Sequence, residues 1–110
     1  MHIHQMSEYK KIIGALTPTF ERFGLDRVDE ELHPDVFGSA YSIFSNKILS
    51  YRVIWDGKDG AGYVQYGDKE KGWDNLNSSA PEAAQDGFEN SMLRIRVELA
   101  EHIALRKLNA

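Results

Sequence analysis

Two stretches of the chain repeat apolar side chains every three or four residues, a spacing that is typical of amphipathic helices. The first predicted helix covers 7–23, and Ser7 can cap its start. Gly24 can end this helix in a left-handed conformation. Pro18 lies inside the pattern and predicts a kink near Gly14, because proline crowds the carbonyl group four residues before it.

The second predicted helix covers 80–107. Ser79 and Glu82 have the spacing of a capping box at its start. Gly87 interrupts the apolar pattern, so this segment is either one long helix or two helices that break near the glycine. At about 1.5 Å per residue, one long helix would outreach the predicted strands and leave its C-terminal turns available to a partner.

Three segments between the helices are rich in aromatic and β-branched residues and predict strands at 37–44, 48–55 and 61–66. The acidic segment 25–36 fits either a short helix or an edge strand. The segment 67–79 shows no periodicity and predicts a loop. We therefore expect one α+β domain over 1–110. Its three- or four-stranded antiparallel meander would pack against an N-terminal helix and a long C-terminal helix.

The Asp-Gly turn at 56–60 predicts the register of the second hairpin. With 57–60 as its loop, Trp55 faces Gly62 and Tyr51 faces Tyr66. A three-residue loop at 45–47 then sets the register of the first hairpin, with Phe44 opposite Ile48, Ile43 opposite Leu49 and Tyr41 opposite Tyr51.

These two registers sort the strand residues into two faces, because side chains alternate along a strand. The predicted helix-facing side carries Tyr41, Ile43, Leu49, Tyr51, Val53, Trp55, Val64 and Tyr66. The predicted outer side carries Ala40, Ser42, Phe44, Ile48, Ser50, Arg52, Ile54, Tyr63 and Gln65. The outer side holds more large apolar groups than a fully solvated face needs, so it is either a contact surface or a wet face with scattered apolar residues.

Composition excludes several classes of function. The 110 residues carry a formal net charge of −4, with a pI of about 5.5, so nucleic acid is not an expected partner. No apolar run approaches the ~20 residues that cross a bilayer. The chain has no cysteine and its N-terminal residues are polar, which predicts a cytoplasmic protein without disulfides.

The sequence carries no recognisable catalytic, metal or cofactor motif. Glu98 and His102 stand four residues apart on the second helix, where a hydrogen bond on the helix surface is the favoured interpretation over a metal pair. The glycines at 57–62 join two strands and do not open a helix, so they are not a phosphate-binding loop. We therefore expect no cofactor, and a non-catalytic role is favoured.

Candidate contact residues come from the outer face and from the acidic segment. The candidate partner surface consists of Phe44, Ile48, Arg52, Ile54, Tyr63, Gln65, Asp29, Glu30 and Glu31. The alternative is a small-ligand pocket between the sheet and the second helix, lined by Trp55, Tyr66 and Trp73.

The run Tyr-Arg-Val-Ile-Trp-Asp-Gly-Lys-Asp-Gly-Ala-Gly-Tyr-Val-Gln-Tyr at 51–66 resembles a strand, Asp-Gly turn and strand seen in short bacterial proteins. Some of these resemble immunity proteins, which are encoded beside secreted toxins. The likeness covers about a seventh of the chain. It implies a non-catalytic inhibitor that binds a toxin domain through an acidic or aromatic patch.

Three functional hypotheses follow. The first is the immunity-type inhibitor, which binds a protein partner. The second is a small-ligand binding domain or enzyme subunit that uses the aromatic pocket. The third is a homodimeric domain that self-associates through the outer sheet face or the end of the second helix.

Overall fold

The structure is a computed structural model that describes residues 3–68, 70–76 and 87–108. Along the chain, five strands lie between two helices, in the order α1 (Ile3–Arg22), β1 (Asp26–His33), β2 (Ser39–Ser45), β3 (Ser50–Asp56), β4 (Ala61–Asp68), β5 (Gly72–Asn75) and α2 (Phe88–Leu108). The predicted α+β class, with a helix at each end of an antiparallel sheet, is confirmed.

The sheet is an antiparallel meander in which each strand pairs with the next, in the order β1-β2-β3-β4-β5. It has five strands where three or four were predicted. The acidic segment forms edge strand β1, which decides between the two alternatives for 25–36. The other edge, β5, lies within the segment predicted as a loop, and its four residues are too few to produce a recognisable alternation.

Helix α1 ends through backbone hydrogen bonds that depend on one glycine. Gly24 has a φ of 78°, and its N–H donates to the carbonyl of Glu21 while the N–H of Leu25 donates to the carbonyl of Phe20, each over 3.0 Å. This pair of bonds is a Schellman motif. The side chain of Leu25 enters the core with 0% exposure, so the predicted left-handed stop is confirmed.

Helix α2 begins directly after Gly87, which has a φ of 79°. The predicted capping pair Ser79 and Glu82 lies outside the described residues, as does the first part of the helix predicted from 80. Within the described residues α2 runs without a break from Phe88 to Leu108.

The predicted register of the second hairpin is confirmed. Tyr51 pairs with Tyr66 and Trp55 pairs with Gly62 across β3 and β4. The side chain of Asp56 closes the turn. Its Oδ1 accepts hydrogen bonds from the backbone N–H groups of Lys58, over 3.0 Å, and Asp59, over 3.2 Å.

The predicted register of the first hairpin is wrong. Phe44 pairs with Tyr51, and Ser45 pairs with Ser50, so the loop has four residues. The Asn46 side chain fixes this loop, because its Oδ1 accepts hydrogen bonds from the N–H groups of Ile48 and Leu49, each over 2.7 Å.

The register differs by three residues from the predicted one, and an odd shift moves every β2 side chain to the opposite face. Tyr41 and Ile43 therefore lie on the outer face, where Tyr41 pairs with Ile54 and Ile43 pairs with Arg52. The β2 residues that face the helices are Ala40, Ser42 and Phe44, all of which are buried.

One apolar cluster fills the space between the two helices and the sheet. It includes Tyr9, Leu16 and Phe20 of α1, Phe44, Tyr51, Val53 and Val64 of the sheet, and Met92, Ile95, Leu99 and Ile103 of α2. The rings of Phe20 and Phe44 stack in parallel with their centroids 4.2 Å apart. Both helices pack on this side, and within residues 3–68, 70–76 and 87–108 no helix covers the opposite side of the sheet.

Candidate functional site

The side of the sheet away from α1 and α2, which we call the outer sheet face, is built by residues that alternate with the core positions. Cross-strand neighbours share a face, so the pairing of Arg52 with Ile43 and Gln65 places these side chains together. The outer sheet face contains Tyr41, Ile43, Arg52, Ile54, Tyr63, Gln65 and Trp73. Except for buried Ile43, these side chains are half-buried although neither α1 nor α2 covers them.

Arg52 lies at the centre of this face between two aromatic rings. Its guanidinium carbon is 4.7 Å from the centroid of the Trp73 ring and 5.8 Å from that of Tyr41. Both distances are within the range of cation–π attraction. The burial of Arg52 lowers its pKa, although a guanidinium stays charged at neutral pH.

A line of amides orients Arg52. Its Nε donates to Oε1 of Gln65 over 2.9 Å, and Nε2 of Gln65 donates to Oδ1 of Asn75 over 2.8 Å. Within the described residues no carboxylate forms an ion pair with Arg52. The arrangement therefore positions the guanidinium over both rings and leaves its charge without an anionic partner in that part of the chain.

Carboxylates of β1 border the same face. Asp29 pairs with Ile43 and Glu31 pairs with Tyr41, so both lie on the outer side. The Tyr41 hydroxyl donates a hydrogen bond to Glu31, and this bond raises the pKa of Tyr41 to about 12. The outer sheet face thus combines a central cation with an acidic edge.

Glu30 points to the other side. Its Oε2 accepts a hydrogen bond from the buried Tyr9 hydroxyl over 2.7 Å and forms an ion pair with Arg27 Nη1 over 3.2 Å. The Tyr9 hydroxyl also bonds to Ser42. Burial and the Glu30 carboxylate raise the pKa of Tyr9. Of the three acidic candidates, only Asp29 and Glu31 therefore border the outer sheet face.

The remaining candidates for the partner surface are divided. Ile54, Tyr63 and Gln65 lie beside Arg52 as expected. Ile48 lies on the β2–β3 turn at the end of the sheet and is 69% exposed. Phe44 is wholly buried beneath α1, which follows from the corrected register, and so cannot contact a partner in this conformation.

The three aromatic residues of the alternative pocket do not come together. Trp55 and Tyr66 face the helices, whereas Trp73 pairs with Gly67 and contacts Arg52 on the outer side. Trp55 is 5% exposed, and its Nε1 has no hydrogen-bond partner within the described residues. Because the sheet separates Trp73 from the other two rings, the three cannot line one pocket.

Sequence reasoning missed Tyr41 and Trp73 as members of the outer sheet face. The polar contact between α2 and β3 was also missed, where Nδ1 of His102 and the Tyr51 hydroxyl are hydrogen-bonded over 2.7 Å. Arg106 lies against the Tyr51 ring in the same place, with its guanidinium carbon 5.1 Å from the centroid. The sequence signal for this contact was the four-residue spacing of His102 and Arg106, which places both side chains on one face of α2.

A groove of about 370 Å³ lies between α1 and α2. It is lined by Thr19, Arg22, Arg96, Val97, Ala100 and Glu101. Across residues 3–68, 70–76 and 87–108, no three histidine or carboxylate side chains gather into a metal-binding group. None of the helices in these ranges has the length and apolar character needed to cross a membrane.

Comparison of the chain with known protein families, with curated proteins and with solved structures finds no match in any of the three.

Proposed function

We propose that this chain is a protein-binding domain that holds its partner on the outer sheet face, and that it acts as an immunity-type inhibitor of a toxin domain. The observation that carries the proposal is the Arg52 guanidinium held between Tyr41 and Trp73 on the side of the sheet that neither α1 nor α2 covers. Tryptophan, tyrosine and arginine are the residue types enriched among the hot spots of protein interfaces.

The charges on this face define a complementary partner. Arg52 has no ion pair within the described residues, so a partner carboxylate at the centre of the interface could form a bidentate pair with it. Asp29 and Glu31 border the face and suit basic side chains at the rim of the partner. The net charge of −4 would speed encounter with a basic partner.

The side chains of the outer sheet face are held in place before a partner binds, so binding needs no coupled folding of this surface. Its side chains stand on paired strands, and Arg52 is oriented by Gln65 and Asn75. Groups that are ordered before association lose less conformational entropy when they bind. The inhibitor class comes from the resemblance of the hairpin at 51–66 to short immunity-type proteins, and such an inhibitor would act by covering the active site of its toxin.

Co-expression tests this function. The gene next to this one would be expressed in a bacterial host alone and together with this chain, and growth would be followed. We expect growth arrest alone and recovery with the wild-type chain. Arg52→Ala and Trp73→Ala should each weaken binding of the purified partner by about 30-fold or more, which corresponds to a hot-spot loss of ~2 kcal/mol.

Lys10→Ala is the matched control, since Lys10 is an exposed cation on α1, on the other side of the sheet. This variant should bind and protect as the wild type does. Neighbouring genes without toxicity would contradict the inhibitor class. A partner that binds Arg52→Ala and Trp73→Ala with wild-type affinity would contradict the outer sheet face as its site.

A further inference from the structure

Helix α2 carries a second line of apolar side chains that the fold leaves exposed. Its buried line is Met92, Ile95, Leu99 and Ile103. The second line, which we call the α2 strip, is Leu93, Val97, Ala100, Ala104 and Leu108. Leu93 is 57% exposed, Val97 52% and Leu108 82%. At 100° per residue the two lines are separated by roughly 135° around the helix axis, so the strip cannot reach the core.

The groove between the helices extends the strip towards α1. Val97 and Ala100 form part of its lining together with Thr19 of α1. The volume of about 370 Å³ leaves room beside the strip. The side chains of Ala100 and Ala104 are small, so they present little bulk to an approaching helix. A helix could therefore approach α2 closely along this line.

We propose that the α2 strip binds the same strip of a second copy of this chain, with the two α2 helices antiparallel about a two-fold axis. Side-chain sizes support this arrangement. With the axis between positions 98 and 99, Leu93 lies opposite Ala104 of the second copy and Val97 lies opposite its Ala100. Each central pair joins a large side chain to a small one, which is how closely packed helices fill space without voids.

Charges beside the strip are arranged for the same pairing. Arg94 and Glu101 lie on the same flank of the strip, since their positions differ by roughly 20° around the helix. A two-fold axis brings this flank against its own copy in reverse order. Arg94 then lies about 3 Å, measured along the helix axis, from Glu101 of the second copy. The two-fold symmetry makes this pair occur twice. Within the described residues neither side chain has an ion pair in its own chain.

These two features identify the occupant as a second copy. A two-fold rotation places each large side chain of the strip opposite a small one and Arg94 beside Glu101. The strip is therefore complementary to a second copy of itself, which an isologous interface requires. A different protein would need no such internal match. The proposal is independent of the proposed function, because the α2 strip and the outer sheet face lie on opposite sides of the molecule.

Measuring the mass of the full chain against concentration tests the dimer. By sedimentation equilibrium, the wild type should have the mass of two chains at about 0.1 mM protein. Leu93→Glu should reduce this to one chain at the same concentration. Val28→Glu is the matched control, because Val28 is also exposed, at 63%, but lies on strand β1 and not on α2. This control should remain dimeric.

Charge reversal tests the antiparallel register. Arg94→Glu and Glu101→Arg should each weaken association by about tenfold, because each change replaces two attractive contacts with two repulsive ones. The double variant restores opposite charges and should return to within about threefold of the wild type. Circular dichroism would show that all variants retain the wild-type helix content, since the substituted side chains are exposed.

A wild-type chain that keeps the mass of one molecule up to about 1 mM would overturn the proposal. So would a dimer that survives Leu93→Glu, because its interface would then lie elsewhere. A double charge variant as weak as the two single variants would overturn the antiparallel register.

Discussion

At the scale of single residues, buried polar groups attach each helix to the sheet at a defined position. The Tyr9 hydroxyl of α1 bonds to Ser42 and Glu30, and the Tyr51 hydroxyl of β3 bonds to His102 of α2. An unpaired polar group in the core costs free energy, so a helix that slid along the sheet would lose these bonds. Apolar packing alone would discriminate less sharply between such positions.

Tyr9→Phe tests the first attachment. The change removes the hydroxyl that bonds to Ser42, which has 0% exposure and whose remaining partner, Glu30 Oε2, is 3.5 Å away. We expect the free energy of unfolding in urea to fall by about 1–2 kcal/mol. Tyr63→Phe is the control, because Tyr63 is half-buried on the outer sheet face and has no hydrogen bond within the described residues; it should change stability by less than about 0.5 kcal/mol. Equal losses in the two variants would contradict this role of Tyr9.

His102 makes the second attachment dependent on pH. Burial lowers the pKa of His102, and the nearby Arg106 charge lowers it further. The ring is therefore neutral at neutral pH and bonds to the Tyr51 hydroxyl, whose own pKa burial raises. As the pH falls, the unfolded chain binds the proton first, because its histidine has the higher pKa of about 6.5.

The stability that His102 contributes should therefore be complete above pH ~6.5 and decline as the pH falls towards the lower pKa of the folded state. Urea unfolding at about pH 7.5 and 5.5 measures this loss. His102→Gln lacks the titrating ring and should lose less stability between the two pH values than the wild type does. The two proteins should respond alike between about pH 7.5 and 8.5, where a histidine of this kind does not titrate. An identical acid response in both proteins would exclude His102 as its source.

At the scale of elements, the two hairpins show what the sequence could and could not predict. In the second hairpin a single side chain, Asp56, closes the turn, and the register was predicted correctly. In the first hairpin Asn46 closes a four-residue loop, but a three-residue loop also gave an apolar inner face. Apolar residues stand on both faces of β2 at Ile43 and Phe44, so alternation alone could not choose between the two registers.

The residues of the outer sheet face could be predicted only where the register of their strands was predicted correctly. Arg52, Ile54, Tyr63 and Gln65 belong to the correctly predicted hairpin and lie on the face expected of them. Tyr41 was assigned to the wrong face by the register error. The position of Trp73 depends on the short strand β5, which is held to β4 by pairing and not by a pattern of its own.

Gly14 within α1 and Gly24 just after its end give opposite predictions. Gly24 has a φ of 78°, so Gly24→Ala should lower the free energy of unfolding by about 1–2 kcal/mol. Gly14 is an exposed helical residue, and a methyl group added there would meet no atom within 4 Å. Gly14→Ala should therefore raise stability by about 0.5–1 kcal/mol, because alanine restricts the unfolded chain and favours helix. Thermal unfolding of both variants checks the signs, and a stabilising Gly24→Ala would contradict the Schellman stop.

At the scale of the whole molecule, the two proposed surfaces do not compete. The outer sheet face lies on one side of the sheet and the α2 strip on the outside of the helix layer on the other. A dimer formed through α2 would present two outer sheet faces pointing away from each other. Each copy could then bind a partner, and a partner with two sites would gain avidity.

The edges of the sheet are protected in different ways. Strand β5 has only four residues. Strand β1 has eight residues and exposes Val28 at 63% and Leu32 at 46%, so its free side could pair with another molecule. The acidic side chains along β1 oppose such pairing through charge repulsion.

Neutralising part of this charge should promote aggregation through β1. The double variant Asp26→Asn and Glu31→Gln removes two exposed charges from the edge and keeps side-chain size. We expect its light scattering to rise faster than that of the wild type during incubation below the unfolding temperature, because strand pairing no longer brings like charges together. The matched control, Glu21→Gln with Asp59→Asn, changes the net charge by the same amount at exposed positions away from β1. This control should stay as clear as the wild type. Equal scattering from the two double variants would attribute the effect to net charge and not to the edge strand.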